Sequence, residues 1–456
     1  MSQFVVVANR LPVKWIPAEQ RWEASPGGLV SALAPVLEEA DDSVWVGWTG
    51  ATGDAPDPFT IDNIRVVPVG LSRADVQLYY EGMANATLWP LYHDAVQPPE
   101  YHRTWWNSYR AINERFCDAT VDIAEPGALV WIHDYQLQLV PGMLRARRPD
   151  LRIGWFNHIP FPPLELFVQL PWRRAIVDGL LGADVVGFQT RIGAQNLMRI
   201  AERLRAASPS PGGLDVDGRQ VVVDAFPIGI DVERFARASV DPAIIERAGE
   251  IRERIDARTL LLGVDRLDYT KGIDLRMRAF GELLDEGRLT VKDAALLQIA
   301  QPSRSNIPGY VELRERVERI VGEINGAHAE MGRPVIHYLY QGQPFEELVA
   351  MYRAADVLLV TPFRDGMNLV SKEYIAAQAD DDGVVVLSEF TGSANELGDA
   401  LLVNPHDIEG VKSAIETAVT MDPDERRRRM RNLRAAVAKN DVRVWARRFV
   451  DALRGA

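Results

Sequence analysis

Cysteine is nearly absent: Cys117 is the only one in 456 residues. No intrachain disulfide can form, and a reducing compartment is expected. Long apolar runs are missing as well. None approaches the roughly 20 residues that a membrane span needs. The opening stretch, Met1 to Val7, is too short and too quickly polar for a signal peptide. A cytoplasmic protein is therefore expected. Positive charge is in deficit, with 51 Lys and Arg against 64 Asp and Glu, a formal net charge of −13. That balance speaks against a nucleic-acid partner. The seven histidines and the lone cysteine show no zinc-type spacing. Asp-x-Asp occurs at Asp215–Asp217 and Asp422–Asp424, in a loop and at a helix start, so neither reads as a metal–nucleotide site, and no metal is expected. G-x-G-x-x-G, G-x-x-x-x-G-K-[ST] and G-x-S-x-G are all absent. Dinucleotide enzymes, P-loop NTPases and α/β-hydrolases thus lack their fingerprints.

What is present is a series of short Val/Ile/Leu runs alternating with longer amphipathic stretches. The first half has Phe4–Ala8, Val44–Trp48, Ile64–Val69, Ala128–Ile132, Arg152–Phe156, Val185–Phe188 and Val221–Ala225. The second half has Leu260–Val264, Ala295–Ile299, Val335–Tyr340, Val357–Val360, Val384–Leu387 and Leu401–Val403. Continuous apolar strands separated by helices predict parallel sheets covered on both faces. There are too many for one ordinary sheet. The expected fold class is α/β, with two Rossmann-like doubly wound domains facing across a cleft. Pro227-Ile228-Gly229 reads as the hinge, giving domains over 1–228 and 229–440. A last segment, about 441–456 with Trp445 and Phe449, is expected to pack back on the first domain. Ala206–Gln220, rich in Ser, Pro, Gly and Asp, reads as a surface loop. The arginines of Asp424–Met430 read as a solvated helix face.

Ligands of open α/β sheets bind beyond the carboxyl ends of the strands. Asn9-Arg10 follows the first strand, and Pro26-Gly27-Gly28-Leu29 is a glycine turn opening a helix. His133-Asp134 and Asn157-His158 end two further strands. In the second half, Asp265-Arg266-Leu267-Asp268-Tyr269-Thr270-Lys271 and Gln301-Pro302-Ser303-Arg304 lie at such ends. Arg10, Arg266, Lys271 and Arg304 are four cations placed to suit phosphate esters. Thr361 to Glu373 is the richest stretch. A strand runs into a polar turn at Gly366 and then a helix, whose unpaired N–H groups and dipole favour an anion. Asp365 and Glu373 add carboxylates that accept from hydroxyls. Tyr79-Tyr80 and Asn85 to Leu91, with Trp89, interleave aromatic faces with polar groups, which suits either core packing or a sugar ring.

Taken in order, these strings resemble glycosyltransferase family 20, the trehalose-6-phosphate synthases, which are retaining enzymes of the GT-B kind. The matching pieces are A-N-R-L-P at Ala8–Pro12, P-G-G-L at Pro26–Leu29 and Y-Y-E-G-M-A-N-A-T-L-W-P at Tyr79–Pro90. They continue with W-I-H-D-Y at Trp131–Tyr135, N-H-I-P-F-P at Asn157–Pro162 and G-V-D-R-L-D-Y-T-K-G at Gly263–Gly272. Q-I-A-Q-P-S-R at Gln298–Arg304 and R-D-G-M-N-L-V-S-K-E at Arg364–Glu373 complete the set, which spans nearly the whole chain. Ala8 stands where many members carry serine.

The resemblance implies transfer of glucose from UDP-, ADP- or GDP-glucose to glucose 6-phosphate, giving α,α-trehalose 6-phosphate, with no cofactor beyond the nucleotide sugar. It implies that Arg10, Tyr80, Trp89, Asp134 and Arg304 bind the acceptor. Gly28, His158, Arg266, Lys271, Asp365, Met367, Asn368, Leu369 and Glu373 would bind the donor. Asp134, His158, Arg266, Lys271 and Asp365 would be the catalytic set. Two rivals stay open: the same scaffold with glycerol 3-phosphate or a cyclitol phosphate as acceptor, and a catalytically silent sugar-phosphate regulator. The partners expected are these small molecules, with no nucleic acid and no membrane; homo-oligomerisation is left open.

Overall fold

The computed structural model describes residues 2–16, 21–24, 33, 43–61, 64–304 and 307–456. The chain divides into two compact units. The first comprises Met1–Ile228 and Val442–Ala456, the second Gly229–Asp441.

In the first unit the strands are β1 (Ser2–Arg10), β2 (Val13–Ile16), β3 (Arg21–Ala24), β4 (Ser43–Trp48), β5 (Phe59–Ile61) and β6 (Ile64–Pro68). They continue as β7 (Ala124–His133), β8 (Arg152–Asn157), β9 (Val185–Phe188), β10 (Ser208–Ser210), β11 (Gly213–Val216) and β12 (Arg219–Ala225). One ten-stranded sheet has the order β10-β11-β12-β9-β8-β7-β1-β4-β6-β5. All pairings from β12 through to β6 are parallel, and the strands at the two ends are antiparallel. The parallel strands are apolar because both faces are covered: Trp45, Trp131 and Trp155 have no exposed surface. The sequence order reverses between β1 and β7, whose registers pair Val7 with Ile132.

The second unit has a six-stranded parallel sheet of β13 (Thr259–Arg266), β14 (Ala294–Gln301), β15 (Ile336–Leu339), β16 (Val357–Val360), β17 (Val384–Ser388) and β18 (Leu401–Val403). Its order, β15-β14-β13-β16-β17-β18, is the Rossmann order 3-2-1-4-5-6, with the reversal between β13 and β16. Each apolar run of the sequence is thus a strand of one of two parallel sheets, and the α/β class holds.

One expectation is overturned. Ala206–Gln220 is not a plain loop: it contains β10, β11 and the start of β12, a meander that extends the first sheet. Its turns use left-handed backbone at Gly212 (φ +79°), Asp217 (φ +53°) and Gly218 (φ +81°). Those turn formers dominate the composition and mask strands of three and four residues.

The helix Val442–Gly455 belongs to the first unit. Its buried residues Val442, Trp445, Ala446, Phe449, Val450 and Leu453 follow helical spacing and form a single face. Phe449 stacks on Trp131 with centroids 4.5 Å apart. Gly154 on β8 and Gly187 on β9 make the seat, since a Cβ at either would lie 2.7 Å from the Phe449 ring. Phe449→Ala should therefore destabilise the first unit by about 3–5 kcal/mol, the usual cost of emptying an aromatic site in a core. Chemical denaturation followed by tryptophan fluorescence checks this, and a shift below about 1 kcal/mol would show that the helix is only loosely docked.

Candidate active site

Both sheets place charged side chains just beyond their reversal points, where open α/β sheets bind ligands. In the first unit, β1 ends at Arg10. Its guanidinium lies 4.0 Å from the Trp48 ring centroid and 5.7 Å from that of Tyr80. Gly50, at φ +94°, leaves the space: a Cβ there would come within 1.8 Å of an Arg10 nitrogen. Tyr80 is carried by Val76–Leu88, a π-helical stretch of a kind that is rare and concentrated at functional sites. Arg10 and Tyr80 thus come together, and Trp48 completes an aromatic frame around the cation. Trp89 is buried against His93 and Tyr135, at 4.1 and 5.8 Å between centroids.

Asp134 follows β7 with φ +75° and ψ 170°, a region otherwise almost reserved for glycine. Hydrogen bonds hold it there. Its N–H donates to Phe156 O at 2.7 Å, its carbonyl accepts from Trp155 Nε1 at 3.2 Å, and its carboxylate accepts the His158 N–H at 3.1 Å. Such strain, of order 1–3 kcal/mol, persists where function requires it. His158 and His133 lie with Nε2 and Nδ1 3.0 Å apart. Burial pushes His158 down to about 3 and His133 well below the usual imidazole range, with His158 adding to the effect on His133. Both rings are neutral at pH 7.

In the second unit, the β13–β16 reversal is fastened by Arg276, which is 1 % exposed. It pairs with Asp265 at 2.7 Å, donates to Leu359 O at 2.6 Å and to Lys271 O at 3.0 Å. Burial raises the Asp265 carboxyl, and Arg276 and Lys271 oppose that rise. Lys271 Nζ meets Asp365 Oδ2 at 2.6 Å, and Asn368 Nδ2 lies 3.2 Å from the same oxygen. Asn368, at φ +74°, caps the helix Leu369–Ala377 by accepting the Ser371 N–H. Leu369 and Val370 remain the first-turn N–H groups that the helix itself does not satisfy. Met367 O accepts from Ser393 N at 2.9 Å, which ties the turn to its neighbour. Glu373 accepts from Tyr352 Oη at 2.8 Å. Its carboxyl is raised by burial, against the Tyr352 hydrogen bond and the Arg234 charge.

Arg304 also lies in the second unit, at φ +48°. Its guanidinium donates to Asp268 Oδ2 at 3.1 Å and to Tyr310 Oη at 2.5 Å. Asp268 is fully buried and further accepts from Thr270 N, Thr270 Oγ1 and Tyr310 Oη at 2.9–3.0 Å. Desolvation works against its charge, yet Arg304, Arg266 and Lys271 hold it down at about 2. Arg266 is exposed at the end of β13.

The second sheet's reversal therefore gathers Arg266, Lys271, Asp365, Met367, Asn368 and Leu369, and the first gathers Arg10, Tyr80, Asp134 and His158. Gly28 lies outside the described residues. Sequence reasoning assigned nothing to Trp48, Asp268 or Tyr310. Trp48 carried a signal, as the last residue of an apolar run; Asp268 lay in a strand-end string, but its pairing with Arg304 and Tyr310 carried none, because those partners lie far away in sequence. Among the described residues, one acidic trio has metal-ligand spacing, Glu282, Glu286 and Glu409. Lys412 Nζ already sits among these carboxylates, so the trio does not fit a metal ion. The arginines following Asp424 pair with Asp382, Asp399, Asp424 and Glu425.

Two Rossmann-like units with cations and carboxylates at their reversal points define the GT-B class of glycosyltransferases. The model of Glycosyltransferase family 20 matches residues 2–455, and the chain belongs to that family. It is 54 % identical over 465 residues to the trehalose-6-phosphate synthase of Mycolicibacterium smegmatis, covering 99 % of this chain and 92 % of the relative. A UDP-forming α,α-trehalose-phosphate synthase from Burkholderia xenovorans, solved in complex with glucose-6-phosphate, is 33 % identical with TM-score 0.91, covering 99 % of this chain and 100 % of that one. A structure from E. coli bound with UDP-2-fluoro glucose is 33 % identical with TM-score 0.92, covering 99 % of each chain. The chain is a glycosyltransferase.

Two predictions follow from the buried charges. Arg276→Met strands Asp265 and should cost about 3–5 kcal/mol, whereas Asp265→Leu with Arg276→Met should recover most of it. Equal losses in urea unfolding of the two variants would show that Arg276 acts through packing alone. Asp268 has a folded pKa of about 2, below its ordinary 3.8. Its charge thus stabilises the fold above pH 4, by about 2 kcal/mol, and the contribution is lost as pH falls through 2. The stability difference between wild type and Asp268→Asn should shrink across that window; a difference flat from pH 5 to 2 would contradict the assignment.

Proposed function

We propose that the chain transfers glucose from a nucleoside diphosphate glucose to glucose 6-phosphate, forming α,α-trehalose 6-phosphate and the nucleoside diphosphate. The observation that carries this reading is the second sheet's reversal point. There Arg266, Lys271 and a helix N-terminus supply positive potential beside Asp365 and Glu373, which accept from hydroxyls. That is the complement of a sugar diphosphate. The relatives' glucose-6-phosphate and UDP-2-fluoro glucose complexes support both substrates.

Arg10 and Tyr80 take the acceptor with Trp89, Asp134 and Arg304, and Asp134 stands next to the reacting hydroxyl. The donor is taken by Gly28, His158, Arg266, Lys271, Asp365, Met367, Asn368, Leu369 and Glu373. Asp365 and His158 hold glucose hydroxyls, Met367 to Leu369 present backbone, and Glu373 holds the ribose. In the reaction, the bond from the anomeric carbon to the diphosphate breaks and a bond to the acceptor oxygen forms on the same face. The leaving phosphate oxygen takes the acceptor's proton. Charge grows on that phosphate, so Arg266, Lys271 and the helix terminus act where the transition state needs them. No cofactor beyond the nucleotide sugar takes part.

Nucleotide release from UDP-, ADP- and GDP-glucose, with and without glucose 6-phosphate, tests this. Release should depend on glucose 6-phosphate; equal release with glycerol 3-phosphate, or binding of both ligands without release, would refute it. Lys271→Ala should raise the donor KM by about 10- to 100-fold, the loss of a charge-assisted hydrogen bond. Arg304→Lys keeps the charge beside Asp268 but loses the fork, and should chiefly raise the acceptor KM. The opposite pattern would mean that the two pockets are exchanged.

A further inference from the structure

We infer that His133 is a positioning residue that fixes His158 in the tautomer protonated at Nδ1, so that His158 meets the bound sugar as a hydrogen-bond donor to a hydroxyl oxygen. This rests on the reading that His158 holds a hydroxyl of the donor glucose.

His133 ends β7 and His158 follows β8, the adjacent strand, in which Phe156 pairs with His133. The 3.0 Å separation of His133 Nδ1 and His158 Nε2 is a hydrogen bond, and it needs one proton between the two nitrogens. Two arrangements supply it. If His158 Nε2 donates, the second nitrogen of His133 must carry the remaining proton of that neutral ring. If His133 Nδ1 donates, His133 Nε2 is a bare lone pair and His158 carries its proton on Nδ1.

The surroundings choose between them. His133 is fully buried, and its Nε2 has no hydrogen-bond partner among the described residues. The ring lies 4.7 Å from that of Trp131, which stands 5.0 Å from Trp445 of the returning helix. Both indole Nε1 atoms are buried and also lack a partner. Indole nitrogens only donate. A protonated His133 Nε2 would add a third donor to a region already short of acceptors, and orphaned buried N–H groups are rare. A bare Nε2 instead supplies an acceptor. Two further contacts keep the His158 ring in place: Phe156 at 4.7 Å and Trp445 at 6.1 Å between centroids. The Asp134 carboxylate takes the His158 backbone N–H and so fixes the main chain.

His133 in this account never touches substrate. It acts by deciding which His158 nitrogen carries hydrogen, much as an outer partner sets the tautomer of a metal-binding histidine.

The test uses the full chain with 15N-labelled histidine and long-range proton–nitrogen NMR, the His158 signals being assigned with His158→Gln. The wild type should show His158 protonated at Nδ1 and bare at Nε2; the reverse would overturn the inference. His133→Asn places an amide N–H close to where Nδ1 lies, whereas His133→Phe removes the donor. His133→Phe should raise the KM for nucleoside diphosphate glucose by about tenfold, equivalent to about 1.4 kcal/mol, with the acceptor KM within about twofold. His133→Asn should return the donor KM to within about threefold of wild type. Equal damage from both variants, or no change in either, would overturn the positioning role. Should His133→Phe not fold, the wild-type tautomer still decides. A His158 protonated at Nδ1 whose signals ignore added nucleoside diphosphate glucose would support the tautomer and overturn the assignment of His158 to the donor.

Discussion

One buried guanidinium sets the geometry of the second unit's reversal point. Arg276 gives its hydrogen bonds to the carboxylate ending β13, to a carbonyl near the end of β16 and to the carbonyl of Lys271. Leu359 is remote in sequence from the other two, yet all three must agree in position for Lys271 and Asp365 to meet at 2.6 Å. The price is an ion pair removed from water, which packing alone could replace without loss of stability. What packing could not supply is direction, because a guanidinium fork accepts few arrangements of its partners. Gly263 fits beneath it for the same reason: a Cβ there would come within 2.8 Å of the fork.

A second theme is the use of strained backbone to aim polar groups. Asp134, Arg304 and Asn368 have positive φ without being glycine. Each sits in a loop beyond a parallel strand, and each is tied by hydrogen bonds that over-determine its conformation. At Asp134 the strain turns the carboxylate onto the main chain of the following strand's loop, so two strand ends share a fixed geometry. At Asn368 it caps a helix while leaving two first-turn N–H groups that the helix does not satisfy.

Much of this was legible before any coordinates. Strands buried on both faces are continuous apolar runs, so the parallel strands of both sheets stood out, as did the charged residues just beyond them. The antiparallel strands did not. β2, β3, β5, β10 and β11 are short and run at sheet margins or in a separate hairpin, and turn formers outweigh their side chains. Among the candidate site residues, those marked by position along the chain, such as Arg10, Lys271 and Asp365, could be singled out from the sequence. Residues marked only by their partners were not. Asp268 depends on Arg304, 36 positions away, and on Tyr310, 42 positions away; nothing local announces either pairing. The His133–His158 contact falls between these cases, since both lie at strand ends but only adjacency of β7 and β8 brings the rings together.

The returning helix has a consequence for biosynthesis. Its seat on Gly154 and Gly187 is complete early in translation, but the residues that fill it follow the whole of Gly229–Asp441. At about 5–20 residues per second, that interval is roughly 10–40 s. During it, the nascent first unit exposes the apolar surface of Trp131, Phe156 and Phe226 that Phe449 later covers. The second unit is contiguous in sequence, so it can fold while the first still waits for its last helix.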